Sequence, residues 1–230
     1  MRPIQITIDG PAGAGKSTIA KMIADKLGCL YIDTGAMYRA ITYTALQQKI
    51  SLDDEETLVQ LSASASIEMV PQLDGGQKVY CNKLDVTKAI RDPLISKNVS
   101  KVAICPRVRQ ELVKKQRKIA QDCDVVMDGR DAGTVVLPMA RCKIFLTASL
   151  AERARRRYLE LKERGHHEDL EVVKEDLARR DYIDENRAIS PLKPAQDAVT
   201  VDTTCLNPAE VVQEILRIYQ EKKEAINNVL

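Results

Sequence analysis

The sequence predicts an α/β fold built on a five-stranded parallel sheet with helices on both faces. Short apolar runs alternate along the chain with segments of helical periodicity, and this order is typical of parallel strands joined by crossover helices. The 230 residues are 44% hydrophobic and 30% charged, which suffices for one sizeable core in an ordinary globular protein. We therefore expect a single domain over residues 1–230.

Strands and helices are predicted at alternating positions. The apolar runs typical of buried strands lie at residues 4–8, 29–32, 125–128, 143–147 and 198–202. The helical segments lie at residues 16–27, 107–120, 150–164, 169–182 and 208–223. Asn207 and Pro208 introduce the last helix in the order of a cap residue followed by a proline at the first helical position. Each strand precedes a small, acidic or hydroxyl residue, so the carboxyl ends of the strands are expected to face a site.

Two segments depart from this alternation and are predicted to be attachments to the core. Residues 67–92 contain short strand fragments around a turn at residues 73–76 (LDGG), a pattern that predicts a small antiparallel insertion. Residues 153–167 form a polar segment that includes Gly165, and we expect it to be a mobile flap.

Composition and charge exclude several classes of function. Thirty-five basic against 33 acidic residues leave a net charge of +2, and a chain with no Trp and one Phe has few rings for stacking bases. No apolar run approaches the ~20 residues of a spanning helix, and the N-terminus lacks the pattern of a secretory signal. The six scattered cysteines form no C-x-x-C pair, which predicts reduced thiols. We expect a cytoplasmic protein without nucleic-acid or membrane partners.

The strongest motif is a phosphate-binding loop at residues 10–18. Its members are Gly10, Pro11, Ala12, Gly13, Ala14, Gly15, Lys16, Ser17 and Thr18. The loop directly follows a predicted strand and opens a predicted helix, the context in which this spacing binds a nucleoside triphosphate. Glycines let backbone N–H groups turn towards a phosphate, and the helix N-terminus adds positive potential. We expect Lys16 to reach the β- and γ-phosphates of ATP and Ser17 to ligate Mg²⁺.

Arginines near predicted strand ends indicate a second anion site. Arg39 and Arg130 each follow a strand, and Arg180 and Arg187 belong to the segment RRDYIDENR. Any one of them fits a solvated surface residue, but as a set they suit phosphate, which guanidinium groups bind in a bidentate manner. A phosphate acceptor is already ionised near neutral pH and needs alignment and charge neutralisation more than a catalytic base. The sequence has neither an H-R-D loop nor an N-K-x-D motif.

Taken in order, these motifs resemble those of the bacterial-type cytidylate kinases. The segments that carry the resemblance, from about residue 4 to 219, are IDGPAGAGKST, YIDTGAMYRA, SKVAICPRVRQEL, DGRDAGTVV and RRDYIDENRAISPL. The resemblance implies transfer of the γ-phosphoryl group of ATP to CMP or dCMP, with Mg²⁺ as the cofactor. It implies a P-loop three-layer fold with a CMP-binding insertion at about 36–105 (β-rich part 67–92) and a helical lid at about 152–187. We expect a monomer with nucleotides as its partners.

The resemblance also implies which residues bind the acceptor nucleotide. They are Thr34, Tyr38, Arg39, Ser100, Arg109, Arg130, Asp131, Arg180, Asp184 and Arg187. Within this set, Thr34, Tyr38 and Arg39 line the monophosphate site, and Ser100, Arg109 and Asp131 read the cytosine. Arg130 and Arg187 hold the CMP phosphate together with Arg39. Arg180 and Asp184 bind the sugar.

Cytosine is a suitable partner for a carboxylate beside a guanidinium. Its N4 amine donates hydrogen bonds, whereas its N3 and O2 accept them. Uracil would set its O4 acceptor against the Asp131 carboxylate, at a cost of roughly 1–3 kcal/mol. The pair Arg109 and Asp131 therefore predicts a preference for CMP over UMP.

The predicted helix at 150–164 carries Arg153, Arg156 and Arg157 among several glutamates. This pattern fits two interpretations equally: an exposed helix with surface ion pairs, or a lid whose arginines move onto the transferring phosphates and exclude water. In the second case Arg153 and Arg157, one helical turn apart, are the preferred contacts to ATP. Lys16, Arg130, Arg157 and Arg187 are then the expected catalytic residues.

Two alternative functions stay open at the level of sequence. One is a P-loop kinase that phosphorylates another small phosphate or a sugar acid. The other is a nucleotide-dependent switch or a nucleic-acid-binding ATPase that uses the basic helix around residues 153–157. The nearly neutral net charge of +2 argues against the second alternative.

Overall fold

A computed structural model of the chain describes residues 3–72 and 76–227. The strands are β1 (Gln5–Asp9), β2 (Leu30–Asp33), β3 (Ile67–Pro71), β4 (Gln77–Cys81), β5 (Leu84–Asp85), β6 (Val125–Gly129), β7 (Cys142–Thr147) and β8 (Val199–Asp202). The α-helices are α1 (Lys16–Leu27), α2 (Thr34–Gln47), α3 (Glu55–Ser64), α4 (Pro93–Ala103), α5 (Pro106–Ala120), α6 (Leu150–Glu163), α7 (Leu170–Asn186) and α8 (Pro208–Asn227). A 3₁₀ turn covers Ala89–Arg91, and a π-helical turn covers Ala132–Val136.

Five of these strands form the predicted parallel sheet, in the order β2-β6-β1-β7-β8. Each begins within one residue of its predicted start, which confirms the α/β fold class. β1 lies at the centre and pairs with β6 on one side and β7 on the other. Because the strands are parallel, their carboxyl ends share one edge, and the loops that follow β1, β2 and β6 meet there.

Helices cover both faces of the sheet. Helices α1 and α8 pack on one face, where Ile19, Ile23 and Ile215 join Ile8 and Ile144 in one buried cluster. Helix α5 and the π-helical turn pack on the other face, against the side chains of β6. The result is the predicted three-layer arrangement, with apolar layers on either side of a central strand pair that is buried except for the half-buried Gln5.

Helix α8 begins with the predicted cap. The side-chain oxygen of Asn207 accepts hydrogen bonds from the backbone N–H groups of Ala209 (2.9 Å) and Glu210 (3.1 Å). The Glu210 carboxylate accepts in return from the backbone N–H of Asn207 at 2.8 Å, which completes a capping box. The helix extends to Asn227, beyond the predicted end at residue 223.

The segment between β2 and β6 contains the predicted antiparallel insertion. Strands β3, β4 and β5 form a three-stranded antiparallel sheet. Of the turn predicted at residues 73–76, residues 73–75 lie outside the described residues. Helices α2, α3 and α4 share a buried apolar cluster with β4 of this small sheet. Gln77 ties the sheet to the core by donating from Nε2 to the carbonyl of Tyr31 at 2.7 Å. The boundaries of the insertion, 36–105, stay a prediction.

Helices α6 and α7 form a separate pair, which we call the lid helices after the lid predicted at about 152–187; that role stays a prediction. They share a small apolar cluster of Ala154, Leu161, Val173 and Leu177, which reaches the phosphate-binding loop through Ala12. Among the described helices, none combines the length and apolar character needed to cross a membrane. Of the six cysteines, all unpaired, Cys205 is exposed and the others are buried or half-buried.

Candidate active site

The phosphate-binding loop adopts a conformation that depends on its glycines. A Cβ at Gly10 would lie 1.9 Å from the carbonyl oxygen of Leu146, so only glycine fits between the loop and β7. Gly15 has a φ of 87° where it precedes the first residue of α1. The loop thus connects the carboxyl end of β1 to the N-terminus of a twelve-residue helix, and the positive end of that helix points towards any anion held there.

Lys16 is held inside the loop. Its side chain is buried, and Nζ donates to the carbonyl of Pro11 at 2.7 Å. Burial, together with the nearby positive charge of Arg130, holds the pKa of Lys16 well below its ordinary value. A phosphate in the loop would offset both effects, because its negative charge favours the ammonium form.

Ser17 lies beside an acidic residue near the carboxyl end of β6. Its Oγ donates to Oδ2 of Asp128 at 2.9 Å, and the Tyr31 hydroxyl donates to Oδ1 of the same carboxylate at 2.9 Å. Burial and the neighbouring charge of Asp33 raise the pKa of Asp128 to about 6. A hydroxyl and a carboxylate are the oxygen ligands that Mg²⁺ prefers, so this donor set fits the implied metal. Among the described residues, no group of three or more His, Cys, Asp or Glu side chains suits a metal ion.

Asp33 holds two arginines at the end of β2. Its Oδ2 accepts from Arg39 at 2.8 Å and from Arg91 at 2.7 Å, while its Oδ1 caps α2 through the backbone N–H of Ala36. Burial alone would raise the pKa of this carboxyl, but the two guanidinium groups hold the pKa of Asp33 below its ordinary range. Arg91 comes from the 3₁₀ turn of the insertion, so the insertion contributes a cation to the core.

A buried ion pair joins Arg109 of α5 to Asp131, the residue that follows Arg130. The Arg109 guanidinium also donates to the carbonyl of Ala103 at 3.0 Å and lies 5.3 Å from the ring centroid of Tyr38. The side chains of Arg109 and Asp131 are 4% and 7% exposed. This carboxylate and guanidinium are fixed together at the wall of the site, as reading a base requires.

Helix α7 and the residue that caps it supply further charged groups. Asp184 accepts from Nε of Arg130 at 2.9 Å. The guanidinium of Arg187 lies between two carboxylates, with Nη1 3.7 Å from Oδ1 of Asp184 and Nη2 3.9 Å from Oδ1 of Asp131. Arg187 donates from Nε to the carbonyl of Ser190 at 2.5 Å. Burial and the positive charge of Arg130 lower the pKa of Arg180 to about 10. The site thus gathers more positive charge than its carboxylates neutralise, which favours an anionic ligand.

Several buried donors in this region have no hydrogen-bond partner among the described residues. They are the Tyr38 hydroxyl, Nε of Arg39, Nε of Arg109, Nε of Arg180 and Nη2 of Arg187. A buried polar atom without a partner costs roughly 1–3 kcal/mol. Five such donors around one cleft therefore indicate that a polar ligand completes the site.

Most of the predicted site residues line one cleft of about 510 Å³. These are Ala12, Gly13, Gly15, Lys16, Ser17, Thr18, Thr34, Tyr38, Arg39, Ser100, Arg109, Arg130, Asp131, Arg157, Arg180, Asp184 and Arg187. Gly10, Pro11, Ala14 and Arg153 do not line it. One cleft therefore contains the phosphate-binding loop, the arginines of the second predicted anion site and the Arg109–Asp131 pair.

The structure separates Arg153 from Arg157. Arg153 is buried: it forms an ion pair with Asp181 of α7 and donates to the carbonyls of Ala12 (3.1 Å) and Ala148 (2.9 Å). Arg157 lines the cleft and donates to Glu160 at 2.7 Å. With its guanidinium engaged between the lid helices and the loop, Arg153 has a packing role in this arrangement. Its contact to ATP stays a prediction that the geometry does not support.

The sequence analysis missed three functional candidates: Asp33, Arg91 and Asp128. Asp33 and Asp128 stand at the carboxyl ends of apolar strands, which is a signal that could have identified them. Arg91 carries no such signal, because its contact with Asp33 joins positions 58 residues apart. Arg156, one of the three arginines considered as lid contacts, donates to the side chain and carbonyl of Thr203 and so ties α6 to the segment after β8.

The chain is similar to known proteins over nearly its whole length. Residues 6–221 match a family model described as cytidylate kinase. The cytidylate kinase of Geobacillus sp. (strain WCH70) is 54% identical over 219 residues, covering 95% of this chain and 97% of that protein. The cytidylate kinase of Bacillus subtilis (strain 168) is 51% identical over 221 residues, covering 96% and 98%. A solved gluconokinase from Sinorhizobium meliloti 1021 shares the fold, with a TM-score of 0.52, 16% identity and 99% coverage of both chains.

Proposed function

This chain belongs to the cytidylate kinase family and is a nucleotide kinase, and we propose that it transfers the γ-phosphoryl group of ATP to CMP or dCMP. The products are ADP and CDP or dCDP. The observation that carries this proposal is one cleft that holds the phosphate-binding loop, the buried Arg109–Asp131 pair and arginine donors that have no hydrogen-bond partner among the described residues. An anionic nucleotide whose base offers both donors and acceptors satisfies these groups together.

The donor half of the cleft suits ATP. The backbone N–H groups of the phosphate-binding loop and the N-terminus of α1 bind the phosphates, and Lys16 leaves the Pro11 carbonyl to reach them. Ser17 and Asp128 supply the oxygen atoms for Mg²⁺. Mg²⁺ held by these oxygens would neutralise part of the negative charge on the phosphates of ATP.

The acceptor half aligns a second phosphate without a catalytic base. The CMP phosphate, with a second pKa of about 6, is mostly ionised at pH 7 and attacks as it stands. Arg39, Arg130 and Arg187 hold it in line, and their carboxylate partners fix them before the nucleotide binds. Positive charge from Arg157 of the lid then neutralises the transferring group.

The base and sugar contacts select the nucleotide. The Asp131 carboxylate accepts from the cytosine amine, while Arg109 and Ser100 donate towards the acceptor edge of the base. Thr34 and Tyr38, which also line the cleft, belong with Arg39 to the monophosphate site. Arg180 and Asp184 bind the sugar hydroxyls, and use of dCMP requires that the contact to the 2′-hydroxyl be dispensable.

No observation favours the other functions. A sugar acid or another small phosphate has no need of a base-reading carboxylate, and the nucleic-acid-binding alternative relied on arginines of α6. In the structure Arg153 and Arg156 of that helix are engaged with Asp181 and Thr203. A monomeric state and a cytoplasmic location complete the proposal.

A coupled assay of ADP release tests the proposed function. Wild-type enzyme is given ATP and Mg²⁺ with CMP, dCMP, UMP or AMP in turn. We expect kcat/KM for CMP to exceed that for UMP by at least tenfold, because uracil sets an acceptor against Asp131. In Asp131→Ala this ratio should approach one, whereas Asp25→Ala, which alters an exposed aspartate of α1, should leave it unchanged. Equal rates on CMP and UMP by the wild-type enzyme would contradict the account of base selection.

A further inference from the structure

Asp131 precedes the π-helical turn Ala132–Val136 but does not cap it. An aspartate in that position normally accepts hydrogen bonds from backbone N–H groups of the first helical turn. The side chain of Asp131 makes no such bond. Its carboxylate instead pairs with Arg109 at the wall of the cleft.

Asp9 supplies the missing cap from a distant part of the chain. Its Oδ1 accepts from the backbone N–H of Ala132 at 2.8 Å, and its Oδ2 accepts from that of Gly133 at 2.7 Å. Asp9 ends β1 and is 5% exposed, and it precedes Ala132 by 123 positions. Both oxygens of one buried carboxylate are thus engaged with the two residues that follow Asp131.

The turn is built to receive this carboxylate closely. A Cβ added at Gly133 would lie 2.7 Å from Oγ1 of Thr7 and 3.3 Å from Oδ2 of Asp9, so the approach requires glycine there. The remaining turn is closed by the carbonyl of Asp131, which accepts from the N–H of Val135 at 2.8 Å. The backbone on the carboxyl side of Asp131 is therefore held in place by Asp9, the last residue of β1.

We propose that Asp9 is a positioning residue for base selection: it caps the turn in place of Asp131 and so leaves the Asp131 carboxylate to pair with Arg109 and face the acceptor base. The inference rests on the proposed function, in which Asp131 reads cytosine. Without the Asp9 carboxylate, the N–H groups of Ala132 and Gly133 need another acceptor, and Asp131 occupies the N-cap position from which a side chain normally supplies one. Arg109 then loses its ion pair with Asp131, and the cytosine amine loses its hydrogen-bond acceptor.

The substitution Asp9→Asn tests this role. An amide offers one oxygen acceptor, and its NH₂ group repels the second backbone N–H, so one of the two bonds is lost. We expect the ratio of kcat/KM for CMP to that for UMP to fall about tenfold, with KM for ATP changed less than twofold. The matched control is Thr7→Val, on the same strand beneath the same turn. Oγ1 of Thr7 has no hydrogen-bond partner among the described residues, so this isosteric change should keep the ratio of the wild-type enzyme.

Hydrogen–deuterium exchange of the ligand-free wild-type protein gives an independent measurement that requires no variant to fold. The amides of Ala132 and Gly133 should exchange as slowly as those of the central strands. Fast exchange at both, or an unchanged CMP-to-UMP ratio in Asp9→Asn, overturns the inference. If the wild-type enzyme itself shows no preference for CMP, the proposed function fails, and the exchange of these amides still decides whether Asp9 caps the turn.

Discussion

At the scale of single residues, the cleft holds its arginines in place before any nucleotide binds. Asp33 fixes Arg39 and Arg91 through one carboxylate oxygen, and Asp184 fixes Arg130 at 2.9 Å. Each pair keeps a guanidinium directed into the cleft while leaving some of its N–H groups free. Pre-oriented donors of this kind stabilise developing charge without reorganising during the reaction.

Arg157 differs from these residues because its partner lies on its own helix. It donates to Glu160, three positions further along α6, and its side chain is 22% exposed. Such a pair breaks readily, so Arg157 is free to turn to the transferring group. In Arg157→Ala we expect kcat to fall roughly 100-fold, with KM for CMP changed less than threefold, because the lost contact forms only in the transition state. Steady-state kinetics with saturating ATP measure both parameters.

The control for this prediction is Arg155→Ala on the same helix. Arg155 is exposed, pairs with Glu152 and does not line the cleft, so its removal should leave both constants as in the wild-type enzyme. A large rise in KM for CMP without a change in kcat would instead assign Arg157 to substrate binding.

Sequence reasoning located the site residues whose signal is local. The phosphate-binding loop was evident because its spacing and its flanking strand and helix all lie within a short segment. Arg153 and Arg157 looked equivalent, because they are four residues apart and share a helix face. What distinguishes them is Asp181, which belongs to α7 and forms an ion pair with Arg153 but not with Arg157. A contact between two helices has no signature in the spacing of either one.

At the scale of elements, Arg153 joins the lid helices to the core. It links α6 to Asp181 of α7, to the carbonyl of Ala12 in the phosphate-binding loop and to that of Ala148 after β7. The side chains of Arg153 and Asp181 are 9% and 11% exposed. A substitution in this pair therefore affects how both lid helices pack against the core.

Arg153→Met should lower the free energy of unfolding by about 3 kcal/mol, because it leaves the Asp181 carboxylate buried with one backbone N–H as its partner. The double variant Arg153→Met/Asp181→Asn should recover part of this loss, since no uncompensated charge remains. Urea denaturation measures each variant, and Arg155→Met serves as a surface control without measurable effect. A double variant less stable than Arg153→Met would show that the buried charge is not the cause.

A polar face opposite an apolar face made some helices predictable, although α4 has the same pattern and was not among the predicted helices. Helix α5 shows this pattern, and its predicted span agrees with the structure to within one residue. Helix α2 was missed because Ala36, Met37, Tyr38 and Ile41 bury most of its circumference between the core and the insertion, so no stripe stands out. The five-stranded sheet was evident because buried parallel strands are short, continuous apolar runs.

At the scale of the whole molecule, the strands bring buried carboxylates of opposite character to one sheet edge. Asp33, held by two arginines, has a pKa below its ordinary range. Burial raises the pKa of Asp9 to about 6, in spite of its two backbone hydrogen bonds. Ionisation of Asp33 therefore stabilises the folded state. Ionisation of Asp9, which caps the turn after Asp131, lowers the free energy of unfolding.

The raised pKa of Asp9 predicts how the free energy of unfolding changes with pH. A carboxyl whose pKa is raised from 3.8 to about 6 on folding binds its proton more tightly in the folded state. Its contribution to stability is therefore complete below about pH 4 and is lost as the pH rises through 6. Between pH 5 and 7 the free energy of unfolding of the ligand-free wild-type protein should fall by about 1 kcal/mol relative to Asp9→Asn, which cannot titrate there. Urea denaturation at several pH values measures the difference, and Thr7→Val should follow the wild-type curve. Parallel curves for the wild-type protein and Asp9→Asn would show that Asp9 does not titrate in this range.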